Sequence, residues 1–137
     1  MNAAEFFKGV AERNYEEFEN SPEDLKSLWN SVASMNTVAE YLALDQIGYT
    51  QVPRAVLDEQ TKKIRDKHKS LSDLKFCADT LKHVRKIKDQ RNAQFTTVAT
   101  STSVSYDDRT SWKIDGFDLV QVLQQAYITL NETPELT

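Results

Sequence analysis

The side chains of this 137-residue chain that could do chemistry gather in its middle third. Lys82 and His83 are adjacent, Cys77 precedes them, and Arg85 and Lys86 follow. A histidine in such company can act as a general base, or bind phosphate when protonated. Lys82 or Arg85 would then stabilise phosphate charge. Cys77 and His83 suggest a nucleophile and its base, but six residues of α-helix place them about 120° apart around the axis. Cys77 also falls within an apolar stripe, so it reads as core. His83 has a bland reading too, packed on a second apolar face with Phe76 and Ile87. A cationic group comprises Lys62, Lys63, Arg65, Lys67 and Lys69, joined along the chain by Lys82, Arg85, Lys86, Lys88 and Arg91. Such a face can collect nucleic-acid phosphates, although most faces of this kind are simply solvated. Asn36 is the remaining candidate. It lies midway between Trp29 and Ala43, near the buried seam of its helix, where an amide needs partners. Glu40, Thr80 or His83 would serve, and the ordinary role is fixing helix register.

Several chemistries are excluded. Phosphate-cradling loops need clustered glycines, whereas Gly9, Gly48 and Gly116 lie far apart. One cysteine with His68 and His83 cannot supply a conventional zinc site. A di-metal bundle needs glutamate three residues before each histidine; those positions hold Arg65 and Thr80. No cofactor or metal is implied. The single cysteine gives no disulfide framework and suits a reducing, cytoplasmic setting. Nothing approaches the apolar length of a membrane span, and the N-terminal residues lack the basic flank and apolar run of a signal peptide.

The charge is segregated. Residues 1–53 carry a net −6, residues 54–91 a net +6 and residues 92–137 a net −4, within an overall −4 and a pI near 5.2. With so low a pI, basic central helices lying against acidic outer ones explain this better than a nucleic-acid surface does.

Six elements must position these residues. A first helix spans about Ala3 to Glu19, capped by Asn2 with Glu5 in the box position, its buried face built from Phe6, Phe7, Val10, Ala11, Tyr15 and Phe18. Ser21, Pro22 and Asp24 restart the chain as cap, first helical position and box residue. That second helix runs to about Ile47, with Gly48 as its stop. A third, peripheral helix covers about Arg54 to Lys69. Ser70 with Asp73 launches a fourth, on which Leu71, Leu74, Cys77, Ala78, Leu81 and Val84 form one apolar stripe and Phe76, Thr80, His83 and Ile87 another. A helix apolar on two sides is central or shared with a partner. The period then changes to β-branched residues, predicting a hairpin over about 95–114 in which Val104, Tyr106, Trp112 and Ile114 share a face. The alternative is a loop over Thr97 to Ser103 with a short hairpin at its tip. Asp118 caps a last helix, with Phe117 and Val122 spaced as a staple, and residues 133–137 form a tail. The whole, residues 1–137, reads as one mainly α domain: an up-and-down four- to five-helix bundle with a β-hairpin inserted before the last helix.

The strings Leu28-Trp29-Asn-Ser-Val-Ala-Ser-Met-Asn36-Thr-Val-Ala-Glu-Tyr41-Leu and Asp79-Thr-Leu-Lys82-His83, with the hairpin and the Asp115-Gly116 helix, cover residues 25–130. They resemble the small bacterial and phage-encoded helical proteins grouped with HEPN-type domains. The resemblance implies a helical bundle, frequently dimeric, whose second long helix often carries Asn-x-x-Lys-His; here Asp79 replaces that asparagine. Active members are ribonucleases with an arginine, four to six intervening residues, then a histidine. Neither His83 nor His68 has one, so nuclease activity is not carried over.

The function expected from the sequence is therefore a non-enzymatic interaction or scaffold protein, homodimeric through the second face of the fourth helix or the aromatic first helix, with a protein partner possible. One alternative is an RNA-processing enzyme using His83, Lys82 and Arg85. Another is a nucleic-acid binder using Lys62, Lys63, Arg65, Lys67, Lys69, Lys82 and Lys86.

Overall fold

The first helix begins where the sequence places it. The Asn2 side chain accepts a hydrogen bond from the Glu5 backbone N–H at 2.8 Å, satisfying one donor that a helix N-terminus leaves free. In the computed structural model, residues 1–48, 51–86, 94–96, 103–107, 111–114 and 117–137 are described, with the side chains of 83–86, 94–96, 103–107 and 111 excepted. The rod α1 comprises Ala3–Phe6, a π segment Phe7–Ala11 and Glu12–Asn20. The π segment departs from the uniform helix expected, and the spacing of the core residues explains it. Ala3, Phe7, Ala11 and Tyr15 are all buried and recur every fourth residue. A regular α-helix drifts about 40° at each such step, which would carry the row off the core. The wider i→i+5 turn takes up that drift.

Asp24 caps α2 (Leu25–Ile47), accepting from the Lys26 and Ser27 backbone N–H groups. The restart at Ser21 and Pro22 is thus corrected: these residues form the turn before the cap. A hydrogen bond from Ser27 Oγ at 2.7 Å holds the Asp24 carboxyl below its ordinary pKa, helped by the two backbone donors. At the other end Gly48 stops the helix at φ 85°, its N–H reaching Leu44 O at 2.9 Å. Only a residue without Cβ takes that conformation cheaply.

The helix α3 (Arg54–Asp66) ends three residues earlier than expected, and α4 (Lys69–Lys86) starts before Ser70. Ser70 is not a cap. Its hydroxyl is hydrogen-bonded to that of Thr129 at 2.7 Å, tying α4 to α5 (Leu119–Asn131). Asp118 caps α5 as expected, accepting from the Val120 and Gln121 N–H groups. The residues read as a tail turn back instead: Pro134–Leu136 is a 3-10 turn and Leu136 is buried.

Before α5 lies the hairpin, β2 (Ser103–Asp107) against β3 (Ser111–Ile114), with Val104 opposite Ile114 and Tyr106 opposite Trp112. This is the shared parity expected, and Trp112 and Ile114 are fully buried. Short segments β1 (Gln94–Thr96) and β4 (Phe117–Asp118) flank the pair, giving the antiparallel order β1-β2-β3-β4. Phe95, Val104, Ile114 and Phe117 thus stand in one row across the strands. The Thr97 to Ser103 loop alternative falls almost wholly outside the described residues.

One contiguous buried cluster joins all five helices to Trp112 and Ile114. The Trp112 indole N–H donates to Pro22 O at 2.6 Å, which fastens the strands to the α1–α2 turn. No helix among the described residues is long and apolar enough to cross a membrane.

Candidate functional site

On α3, the buried positions are Leu57, Thr61, Ile64 and Arg65. At 100° per residue Arg65 lies only about 40° from Thr61, so the helix that buries Leu57 and Ile64 against α2 carries the arginine inward with them. Arg65 is 9% exposed. This corrects its expected place in a solvated basic face.

Its surroundings are unusual for a buried cation. The guanidinium donates from Nη2 to the Asn36 backbone carbonyl at 3.1 Å, while its Nε has no partner. Among the described residues no carboxylate is within ion-pair distance of it. Burial pulls its pKa below the ordinary arginine value, opposed at longer range by Glu40, Asp79 and Asp58. Buried charges are normally paired; this one is offset only from a distance.

Arg65 forms the inner wall of a groove of about 530 Å³ between α2, α3 and α4. Asn36 and Glu40 contribute from α2, Arg54, Asp58, Lys62 and Asp66 from α3, and Ser72, Lys75 and Lys82 from α4. Most of these charges already have partners. Arg54 meets Asp58 at 3.0 Å and Glu40 at 3.4 Å, Lys62 meets Asp66 at 2.6 Å and Lys75 meets Asp79 at 2.6 Å. Lys82 is exposed and, among the described residues, without an ion pair. The groove therefore holds two cations not directly neutralised, Arg65 and Lys82. Ser72 steadies the wall by donating from its hydroxyl to Arg65 O at 3.1 Å.

Of the basic residues singled out in the sequence, the structure brings Lys62, Arg65 and Lys82 together and separates the others. Lys63 pairs with Glu59 at 3.6 Å and Lys69 with Asp73 at 2.8 Å. Lys67 lines a different hollow, of about 340 Å³, beside His68 and the chain's end. The side chains of His83, Arg85 and Lys86 lie outside the described residues, so the ribonuclease constellation has only Lys82 in view. Missing from the sequence list were Arg54, Lys75 and Ser72. Helical spacing was the available signal: Ser72, Lys75 and Lys82 recur at intervals of three and seven on one side of α4.

Asn36 is near the buried seam, as expected, but its Oδ1 has no hydrogen-bond partner. The proposed bond to Thr80 is replaced: Thr80 donates to Phe76 O, one turn back, at 2.9 Å. Asn36 instead serves Arg65 through its backbone carbonyl.

The α4 stripe of Leu71, Leu74, Cys77, Ala78 and Leu81 is buried throughout. Burial, with a smaller contribution from Asp73, pushes the Cys77 thiol up to about 12, so it is an inert core residue. The opposite edge is less enclosed than its sequence suggests: Phe76 packs on Phe117 with ring centroids 5.4 Å apart, yet remains 40% exposed. On α1, Phe7, Tyr15 and Phe18 are buried within the chain itself, and Phe6 stacks on Tyr41 at 4.4 Å. Those aromatics are already used.

No protein-family model, curated protein or solved structure matches this chain. The likeness to HEPN-type proteins rests on its residues alone.

Proposed function

We propose that this chain is a non-enzymatic interaction protein that holds an anionic group against the α2–α3–α4 groove. The observation that carries this reading is Arg65: a cation nine-tenths buried, facing a groove, and lacking a carboxylate partner. An anion entering there would supply the missing charge in a setting where charge-assisted hydrogen bonds are strong.

Amide-resolved NMR of the full chain tests this, in chloride, sulfate, phosphate and citrate at matched ionic strength. The expected result is that at least one multivalent anion shifts the amides of Asn36, Arg65, Ser72, Lys75 and Lys82 together. Shifts scattered over all surface lysines, or none, would overturn the reading. Self-association, the other mode suggested by the sequence, would use the Phe76 edge, because the α1 aromatics are consumed internally. Light scattering reads that directly: a monomer at every concentration removes it.

A further inference from the structure

We infer that the group received by the groove is a compact phosphomonoester, and not a run of nucleic-acid phosphates. The inference rests on the groove being an anion site and goes on to name its ligand class.

Charge balance decides between the two. Five cations line the groove, but Glu40, Asp58 and Asp66 line it as well. Arg54 is shared between two of those carboxylates and Lys62 is held by the third. Lys75 is matched by Asp79. With Asp79 counted, five cations face four carboxylates, a net of one positive unit, and Arg65 and Lys82 are the two cations without an ion pair among the described residues; so small an excess suits one compact anionic group and not a polyanion. A polynucleotide laid along the groove would bring successive phosphates against the three rim carboxylates, and like charges at such range repel. Geometry agrees. Arginine presents a planar fork suited to phosphate oxygens, and lysine a point charge that closes over them. The volume, about 530 Å³, lies within the range of small-molecule sites.

Isothermal titration of the full chain decides it, with glucose 6-phosphate, a phosphoserine peptide, inorganic phosphate, succinate and a single-stranded oligonucleotide as probes. The expected result is saturable binding of at least one phosphomonoester, at least tenfold tighter than succinate. Lys82→Gln, at an exposed position, should weaken it about tenfold, the size of one charge-assisted hydrogen bond. Arg65→Met should abolish it while circular dichroism stays unchanged. A free sugar phosphate binding more tightly than the phosphopeptide identifies a small-molecule source, and the reverse order a modified protein. Succinate binding as tightly as the phosphomonoesters would overturn the phosphate assignment and leave the anion groove standing. The same holds if the oligonucleotide binds tightest with steep salt dependence. No binding by any probe, with unshifted groove amides, removes both.

Discussion

The Arg65 guanidinium donates to the backbone carbonyl of Asn36 at 3.1 Å, while Arg65 Nε and Asn36 Oδ1, the next polar atoms of the same two residues, have no partner. A buried donor and a buried acceptor left open are costly. Their neighbours do not relieve them: Ser72 spends its hydroxyl on the Arg65 carbonyl, and Thr80 turns back to its own helix. The wall of the groove is thus held in place by main-chain carbonyls, which leaves the charge on the arginine uncancelled. Binding sites are where local stability is commonly given up.

Replacing Trp112 by phenylalanine tests how the strands are fastened. The indole is fully buried and its N–H spans 90 residues of sequence to reach Pro22 O. The variant loses that bond, leaves a carbonyl short of a donor and opens a small void. A loss of about 2 kcal/mol is expected. Urea unfolding followed by Trp29 fluorescence should show a lower midpoint with an unchanged slope.

The α1–α5 contact predicts an alkaline signature. Tyr127 donates to Glu12 Oε2 at 2.6 Å and stacks on Tyr15 at 4.8 Å. The bond to Glu12, with burial second, raises Tyr127 from 10.0 to about 12; for Tyr15, burial is the main cause of a similar rise. A group whose folded pKa exceeds its unfolded one supports folding fully below the unfolded value and loses that support as pH climbs through the folded one. Wild-type stability should therefore fall between pH 10 and 12. In Tyr127→Phe the fall should be shallower, with Tyr15 supplying the remainder, and the neutral-pH stability lower by about 1 kcal/mol. Equal slopes in the two proteins would contradict the assignment.

These contacts show what the sequence could and could not reveal. Caps at Asn2 and Asp118, the stop at Gly48 and the parity of Trp112 with Ile114 are local matters of backbone donors, φ and alternation, and all were legible. The α2 start was misplaced because Ser21-Pro22 and Asp24 both carry start signals, and only the folded turn selects between them. The π segment was harder to foresee, since its signature is merely a buried row spaced by four. Arg65 was named but misplaced. A composition count places it among lysines on a basic face; its angular position beside Thr61 and Ile64 places it inside. Lys62 and Lys82 were singled out for charge, but their meeting across α3 and α4 depends on how those helices pack. Pairing of Lys63 with Glu59 and Lys69 with Asp73 follows from i,i+4 spacing and was readable in advance.

Cys77 gives a prediction about reactivity. It is fully buried and its thiol is pushed up to about 12, so little thiolate exists at neutral pH and no reagent reaches it. A thiol-specific reagent should label the native chain at least a hundredfold more slowly than the chain in strong urea, because the folded thiol is both enclosed and held protonated. Rapid native labelling would mean that α4 opens locally around Leu74 and Leu81.

Arg65→Met separates a strut from a receptor. If Arg65 served mainly to hold α3 on α2, removing its bond to Asn36 O would cost about 1 kcal/mol and the urea midpoint would drop. The environment argues for the reverse outcome. The charge is nine-tenths buried with no carboxylate beside it, and the Asn36 carbonyl lies within α2, where it retains its helical donor after the substitution. Methionine keeps an unbranched aliphatic side chain at this position while removing the desolvated cation, a replacement that in buried ionic sites is often neutral or stabilising by about 1–4 kcal/mol. An unchanged or higher midpoint is expected, together with lost anion response at Ser72 and Lys82. A midpoint lowered by more than about 1 kcal/mol, with that response intact, would make Arg65 a structural brace and move any binding role to Lys82 and Lys62.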